Sequence, residues 1–488
     1  MAIEHTSTRR RYYAHMIRLA LLALLTAVLT IATSVQPAPS RPNILVVIAD
    51  DWSYPHAGVL GDRVVKTPTF DRIAREGVLF RNAFVAAPSC TPSRASLLTG
   101  RAVHQLEEGG NLWGFLPSKF AAYPDLLESA GYTVGFTRKG WGPGDFKAGG
   151  RTHNPAGNQF ATFAEFYKQA SKDKPFAFWF GSQDPHRPYE EGSGAGSGMK
   201  ASDVDVPRFL PDTLATRSDM LDYYFEVQRL DREAGEIIAT LEAAGQLDNT
   251  VVIFTSDNGM PFPRAKANLY DAGTHVPLAI RFPSKTKTHR TVDGFVVLTD
   301  LAPTILEAAG LKPPAEMTGR TLMPLLAGDP QPGRERVFLE RERHAQVRRG
   351  DLGYPARAIR NTDFLYIRNI EPDRWPAGDP EMYVSVGPFG DIDGGPTKDL
   401  LLQRRDDPAI AKYFALATAK RPEEELFDLR KDPQQLDNVA AKPEYAGAKS
   451  DLRTALLKWM RETHDPRAAK SVSPWDRYPY FGPAGRDR

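Results

Sequence analysis

Asn43-Ile44-Leu45-Val46-Val47-Ile48-Ala49 is an unbroken apolar run that stops on Asp50-Asp51, and Thr250-Val251-Val252-Ile253-Phe254 repeats the pattern far along the chain, ending on Ser256-Asp257-Asn258-Gly259. A strand with one wet face alternates apolar and polar residues, whereas a continuous run suits a strand covered on both faces. Two such strands belong inside an α/β sheet with helices above and below. Ligands of open α/β sheets collect at the carboxyl ends of the strands, which predicts that the two acid clusters face one crevice.

Strand and helix patterns alternate around these runs. Thr67-Pro68-Thr69-Phe70 opens a helix with Phe70, Ile73 and Ala74 on one face and a stop at Gly77, and residues 78–85 read as the next strand. Residues 123–130 read as a helix, 132–136 and 176–180 as strands, and 217–244 as a long helix with Met220, Tyr224, Val227, Leu230, Ala234, Ile238 and Leu241 in one core stripe. A strand at 276–282 and a helix at 301–309 follow. Past residue 350 the composition changes: 356–360 and 364–369 flank Asn361-Thr362-Asp363 as a hairpin, 426–429 is a short strand and 445–461 a helix. Residues 373–407 and 471–488 carry no assignable pattern. The expected fold is α/β, a large central mostly parallel or mixed sheet flanked by helices (residues 41–350, the catalytic part), with a smaller C-terminal antiparallel sheet and helix at 351–488.

Residues 1–34 differ from the rest. Arg9-Arg10-Arg11 and Arg18 precede an apolar run at 19–32 and the small residues Ala32-Thr33-Ser34, the layout of a cleaved signal peptide; the run is short for a membrane span. The mature chain is therefore expected to be periplasmic or secreted and free of the membrane. Losing that segment removes four arginines and one glutamate and takes the formal net charge from +2 to −1. A nearly neutral chain with scattered basic residues does not have the basic face of a nucleic-acid binder. Cys90, the one cysteine of 488 residues, rules out an internal disulfide.

Cys90 stands in Ser89-Cys90-Thr91-Pro92-Ser93-Arg94-Ala95-Ser96-Leu97-Leu98-Thr99-Gly100-Arg101. Thr91 suits a helix cap, Pro92 a first helical position and Gly100 a stop, so the thiol is expected beside a helix N-terminus, where anions are favoured. A lone cysteine can be an inert buried hydrophobe. In an exported protein, however, an unpaired thiol next to an arginine asks for another reason. Cys-x-Pro-Ser-Arg followed by Leu-Thr-Gly-Arg resembles the signature of the sulfatase family, which implies oxidation of the cysteine after translation to a formylglycine aldehyde by a maturation enzyme.

Asp50, Asp51, Asp257 and Asn258 offer hard oxygen donors, suited to Ca²⁺ or Mg²⁺ rather than zinc, and carboxylates so crowded need a cation between them. Taken singly, each cluster could equally be solvated loop acids or an Asp-Asn-Gly turn. The resemblance implies that these four, with the hydrated aldehyde at position 90, hold the metal, and that Arg94 braces them. It further implies that Lys139, Lys266 and His186 do the cationic and proton-donating work around the sulfuryl group. Lys139 lies in Gly135-Phe136-Thr137-Arg138-Lys139-Gly140-Trp141, similar to the family's Gly-Lys-Trp-His loop, but two positions after the lysine this chain has Trp141 where the family carries histidine. His104 or His153 are the candidate substitutes. His186 lies in Ser182-Gln183-Asp184-Pro185-His186-Arg187-Pro188, and Lys266 shortly precedes Asn268-Leu269-Tyr270.

Phe254 to Pro263, Asn268-Leu269-Tyr270, and Trp459 to Pro466 with Glu462-Thr463-His464-Asp465-Pro466 resemble the heparan N-sulfatase (sulfamidase) branch more than the arylsulfatases. The implied substrate is a sulfated saccharide, a terminal N-sulfated glucosamine of heparan or heparin fragments. His344 and His464 stand where that branch could read the sugar, alongside His104. A homodimer is the assembly carried as an expectation. The alternatives are an O-sulfatase on another glycan, a phosphoester or phosphonate hydrolase of the same superfamily, and a glycan-binding protein in which Cys90 is never oxidised.

Overall fold

The computed structural model describes residues 41–482 apart from 171–172, 287–288, 385–386 and 470–472, together with Tyr12 and Met16; the expected signal peptide otherwise lies outside the described residues. Eight strands form one sheet in the order Asn158–Phe160, Thr133–Arg138, Phe176–Gly181, Asn43–Ala49, Thr250–Ser256, Leu278–Arg281, Val78–Phe80, Arg290–Val292. All neighbours run parallel except around Leu278–Arg281, which is antiparallel to both of its partners. The two apolar runs are adjacent and central, paired from Asn43 opposite Thr250 to Ala49 opposite Ser256. That register carries both acid clusters out of the sheet side by side.

Alternate residues of the first strand feed two separate cores, as strict strand periodicity demands. Ile44, Val46 and Ile48 pack with Leu97, Leu98 and Leu301 on one face, while Leu45 and Val47 pack with Phe70 and the long-helix stripe on the other. That helix runs Leu214–Ala243, three residues earlier than its apolar stripe suggests, because Thr213 Oγ1 accepts a hydrogen bond from Thr216 N and caps it. The strand expected at 78–85 is two strands, Val78–Phe80 and Ala83–Phe84. The break falls at Arg81 and Asn82, whose side chains turn out to bind Asp293, and Ala83–Phe84 pairs instead with Val296–Val297.

A second, antiparallel sheet joins Arg336–Arg341, Ala356–Asn361, Phe364–Asn369 and Glu424–Asp428. Its edge strand precedes residue 351, so the sheet draws on both sides of the boundary expected there: the hairpin partner that completes its ladder comes from the earlier segment. Helix Ala446–Glu462 lays Leu452, Leu456 and Met460 on Ile359, Tyr366 and Leu426 of this sheet. The stretch at 373–407 that lacked a pattern holds a helix, Pro396–Gln403, and a loop that returns to the first sheet's strand ends. No helix among the described residues is long and apolar enough to cross a membrane.

Candidate active site

Three strand ends make the floor of the site. Asp50 N donates to Asp184 O at 2.9 Å and Asp257 N to Ala49 O at 3.1 Å, so the loops leaving Asn43–Ala49, Phe176–Gly181 and Thr250–Ser256 are stitched together immediately past the sheet. Asp51 then turns with φ 78°, a left-handed conformation unusual for a residue with a Cβ. Its N–H donates to Asp257 Oδ1 at 3.1 Å and its Oδ1 accepts from Asn258 Nδ2 at 2.6 Å.

Cys90 opens the helix Cys90–Thr99, all ten residues of which are buried, and Gly100 ends it at φ 66°. The helix starts one residue before the expected Thr91 cap: Ser89 is the cap position, and its hydroxyl meets His344 Nδ1 at 2.8 Å instead of the helix's own N–H groups. Cys90 Sγ donates to Asp50 Oδ1 at 3.4 Å. Burial pushes its pKa well above the usual thiol range, so as a cysteine it is a neutral thiol and not a nucleophilic thiolate.

One turn along, Arg94 is fully buried and donates through Nε to Asp257 Oδ2 at 2.7 Å and through Nη1 to the carbonyls of Lys139 (3.1 Å) and Gly140 (2.9 Å). It thereby fixes both an acid of the floor and the loop that carries Lys139. Lys139 Nζ reaches Asp50 Oδ2 at 2.5 Å, and Lys266 Nζ reaches Asp51 Oδ2 at 2.7 Å and Asp393 Oδ2 at 3.0 Å. Burial works against the charge on Lys266, but Asp393 and Asp51 hold its pKa well above the usual lysine range. Burial likewise opposes ionisation of Asp50, and Lys139, His186 and Arg94 more than compensate, keeping it an anion.

Asp51 is the exception. Burial raises its pKa to about 6 despite Lys266. Four carboxylates (Asp50, Asp51, Asp257, Asp393) meet three fixed cations (Arg94, Lys139, Lys266), leaving an excess of negative charge away from water. Oxygen or sulfur atoms of Asp50, Asp51, Asp257 and Cys90 all lie within 4.8 Å of one another. Asn258 Oδ1 is buried without a hydrogen-bond partner among the described residues, although its Nδ2 is satisfied twice. An orphaned buried carbonyl costs about 1–3 kcal/mol unless something positive meets it. The three carboxylates and this amide oxygen together fit a hard divalent cation.

The histidines divide by environment. His186 joins the site: Nε2 lies 3.9 Å from Asp51 Oδ2, Nδ1 binds Arg187 O at 2.6 Å, and 36% of the side chain is exposed. His344 touches the site through Ser89, is buried, and burial lowers its pKa to about 4, so it is a neutral ring. His104 does not join it. Its two nitrogens are taken by Glu340 Oε2 at 2.8 Å and Thr463 O at 3.0 Å, inside a buried network where Arg357 also binds Asp465 at 2.7 Å and Glu342 at 2.8 Å. Arg357 already supplies the positive charge those acids require. His464 is exposed on the turn after the last long helix, and His153 binds the neighbouring Asn154 carbonyl. Trp141 is buried in the core with its backbone held at both ends by Asn154. Among the described residues none of the hydrogen bonds of His104, His153 and Trp141 goes to Cys90, Arg94, Lys139 or the floor acids.

Asp393 is the site residue that sequence reasoning missed; it sits in the stretch 373–407, and the available sign was an acid in Asp391-Ile392-Asp393-Gly394-Gly395. A cavity of about 830 Å³ lined by Ser53, Tyr54, His56, Tyr270 and Arg360 lies beside the site but includes none of Cys90, Lys139, His186 or Lys266, so it is a neighbour and not the reaction chamber.

Comparison with known proteins agrees with this geometry. A family model described as Sulfatase matches residues 42–311, and one described as N-sulphoglucosamine sulphohydrolase, C-terminal, matches residues 264–375. The chain is 33% identical to N-sulphoglucosamine sulphohydrolase of Homo sapiens, over 88% of this chain and 91% of that one. It is 28% identical to an ulvan-active sulfatase of Formosa agariphila, over 88% and 76%. Among solved structures, one in complex with its substrate D-glucosamine-2-N,6-O-disulfate superposes with TM-score 0.62 at 19% identity, covering 88% of this chain and 100% of that one. The phosphonate monoester hydrolase of Agrobacterium radiobacter superposes with TM-score 0.65 at 20% identity, covering 87% and 96%.

Proposed function

The chain belongs to the sulfatase family, and from that premise we propose that it removes the N-sulfate from a terminal glucosamine of heparan or heparin fragments, with a formylglycine made from Cys90. That it is an enzyme releasing sulfate from sulfated sugars follows from the family. The N-sulfate preference rests on one observation above the others: the resemblance to the human N-sulphoglucosamine enzyme extends past the catalytic sheet into the C-terminal part, where the matching family model covers residues 264–375.

Asp50, Asp51, Asp257 and Asn258 would hold a Ca²⁺ or Mg²⁺ ion. When bound, such an ion supplies a Lewis acid that offsets negative charge on sulfuryl oxygens, and an aldehyde hydrate at position 90 supplies an oxygen nucleophile. The chain's own residues do the rest. Lys139 and Lys266 stand on either side of the floor as permanent cations and orient an anionic sulfuryl group by charge. Arg94 fixes the register of Asp257 against the Lys139 loop. His186, with Nδ1 committed to the Arg187 carbonyl and Nε2 turned toward the site, has the position to protonate the departing amine. Because Cys90 is only 2% exposed, its oxidation requires access before the helix is packed, which points to a maturation enzyme acting on the unfolded chain. The export signal in residues 1–34 fits a periplasmic or secreted site of action.

Mass spectrometry of the tryptic peptide 82–94, from protein produced with its maturation enzyme, tests the first half of this reading: an unmodified thiol throughout would refute it. Sulfate release from N-sulfoglucosamine, measured against O-sulfated sugars and an aryl sulfate, tests the second; no release from the N-sulfated sugar would end the N-sulfatase assignment.

A further inference from the structure

We propose that Asp393 sets substrate selectivity: its outward carboxylate oxygen receives a hydroxyl of the sugar that carries the sulfated nitrogen, and it turns away a sugar bearing a second sulfate at that hydroxyl. This deepens the N-sulfatase reading and rests on it.

Asp393 reaches the site from the connection between Phe364–Asn369 and Glu424–Asp428 of the second sheet. The loop is held by buried polar contacts on both sides of the residue. Asp391 accepts from Arg341 at 2.8 Å, Arg348 at 2.5 Å and Ala345 N at 3.1 Å, and Lys398 Nζ donates to Ile392 O at 2.7 Å. Farther on, Thr397 donates to Asp219 through its N–H at 3.1 Å and its hydroxyl at 2.6 Å. Asp219 is also the partner of Arg187, the neighbour of His186, at 2.7 Å. The carboxylate is thus placed by a braced backbone in fixed relation to His186, which is what a recognition group needs.

Its two oxygens have different surroundings. Oδ2 takes Lys266 Nζ at 3.0 Å. Oδ1 has no hydrogen-bond partner among the described residues, and the side chain is 24% exposed. Atoms of Asp51, His186 and Asp393 lie within 4.8 Å of one another. Asp51 is closed off at the floor, whereas His186 and Asp393 are partly open, so these two line an open side of the site on which a sugar attached to the sulfuryl group can lie. Burial opposes ionisation of Asp393, but the ion pair with Lys266 at 3.0 Å, together with His186 and His344, more than offsets it and keeps the carboxyl below the usual range, as an anion. An anion with a free oxygen accepts from a hydroxyl and repels a sulfate at contact distance, in surroundings where such repulsion is poorly screened.

The test compares sulfate release from glucosamine-2-N-sulfate, glucosamine-2-N,6-O-disulfate and glucosamine-2-N,3-O-disulfate by wild type, Asp393→Asn and Asp393→Glu. Taking the ratio of kcat/KM values within each variant cancels any shared effect of a displaced Lys266. Wild type should prefer the monosulfate over at least one disulfate by about a hundredfold, the scale of one like-charge contact. Asp393→Asn should shrink that ratio at least about tenfold, and Asp393→Glu should retain most of it. Equal ratios in wild type and Asp393→Asn would overturn the proposal and leave the N-sulfatase reading standing, as would a wild type indifferent to the second sulfate. A wild type inert on the monosulfate would overturn both.

Discussion

Arg94 Nε donates to Asp257 Oδ2 at 2.7 Å with both side chains closed to solvent. The pair ties the helix that presents Cys90 to the strand end that presents Asp257 and Asn258. Breaking one side of such a pair strands the other charge, at a cost of about 3–5 kcal/mol. Arg94→Ala should therefore lower stability by that order in urea unfolding in the presence of a chelator, and should lose turnover as well. Asp257→Asn should lose metal binding with a smaller stability cost, because Arg94 keeps its two carbonyl partners.

Cation addition should stabilise the protein. A ligand present at a hundred times its Kd adds about 2.7 kcal/mol. Thermal melts should shift upward with Ca²⁺ or Mg²⁺ and back with chelator, and Asp257→Ala should abolish the shift. A melt indifferent to either ion would speak against the donor set assigned to Asp50, Asp51, Asp257 and Asn258.

Lys139 and Lys266 are assigned to the sulfuryl group itself. Replacing either with alanine should lower kcat by about 10²–10³, the usual loss for one charge-stabilising group. Lys266→Ala should in addition unsettle the binding of sugar, through Asp393, and so raise KM more than Lys139→Ala does.

His104 provides the pH test. Burial opposes its protonation but the Glu340 carboxylate prevails, so its folded-state pKa lies above the ordinary value. A raised histidine pKa stabilises the fold fully below the unfolded value of about 6.5 and loses that contribution as pH rises through the folded value. His104→Asn should then cost stability most at pH 6, by about 1.5–3 kcal/mol for a charged hydrogen bond, and less at pH 9. Since His104 lies outside the site, the pH profile of kcat should keep its shape.

Trp141 stands where the family carries a loop histidine, yet it is packed in the core. Trp141→Ala should cost about 3–5 kcal/mol through the cavity it leaves. Trp141→Phe should keep kcat within a few fold; a profound loss of kcat with intact stability would mean that the ring acts on the substrate after all.

Local pattern was enough for the parts of the molecule that local physics governs. The continuous apolar runs at Asn43 and Thr250 and the 3.6-residue stripe from Met220 to Leu241 announce burial on two faces and on one, so the sheet, its long helix and the joint position of Asp50, Asp51, Asp257 and Asn258 were legible in the sequence. So were Cys90, Arg94, Lys139 and Lys266, whose neighbours form distinctive strings. The broken strand at Arg81 and Asn82 was not, because its cause is Asp293, more than two hundred positions away.

Histidines and loop acids carry no such pattern. His104, His186, His344 and His464 are chemically alike in the sequence, and what separates a network member, a site group, a buried neutral ring and an exposed turn residue is the partner each meets. Glu340 meets His104 across 236 positions and Ser89 meets His344 across 255. Asp393 was invisible for the same reason: its meaning comes from Lys266, 127 positions away, and from a loop that crosses from one sheet to the other. The sequence by itself determined the scaffold and which residues would gather around Cys90, through periodicity and short-range motifs. The tertiary structure alone decided which charges neutralise each other and which carboxylate oxygen is left without a hydrogen-bond partner among the described residues, because electrostatic partnership depends on distance in space and burial, and neither is written in the spacing of residues along the chain.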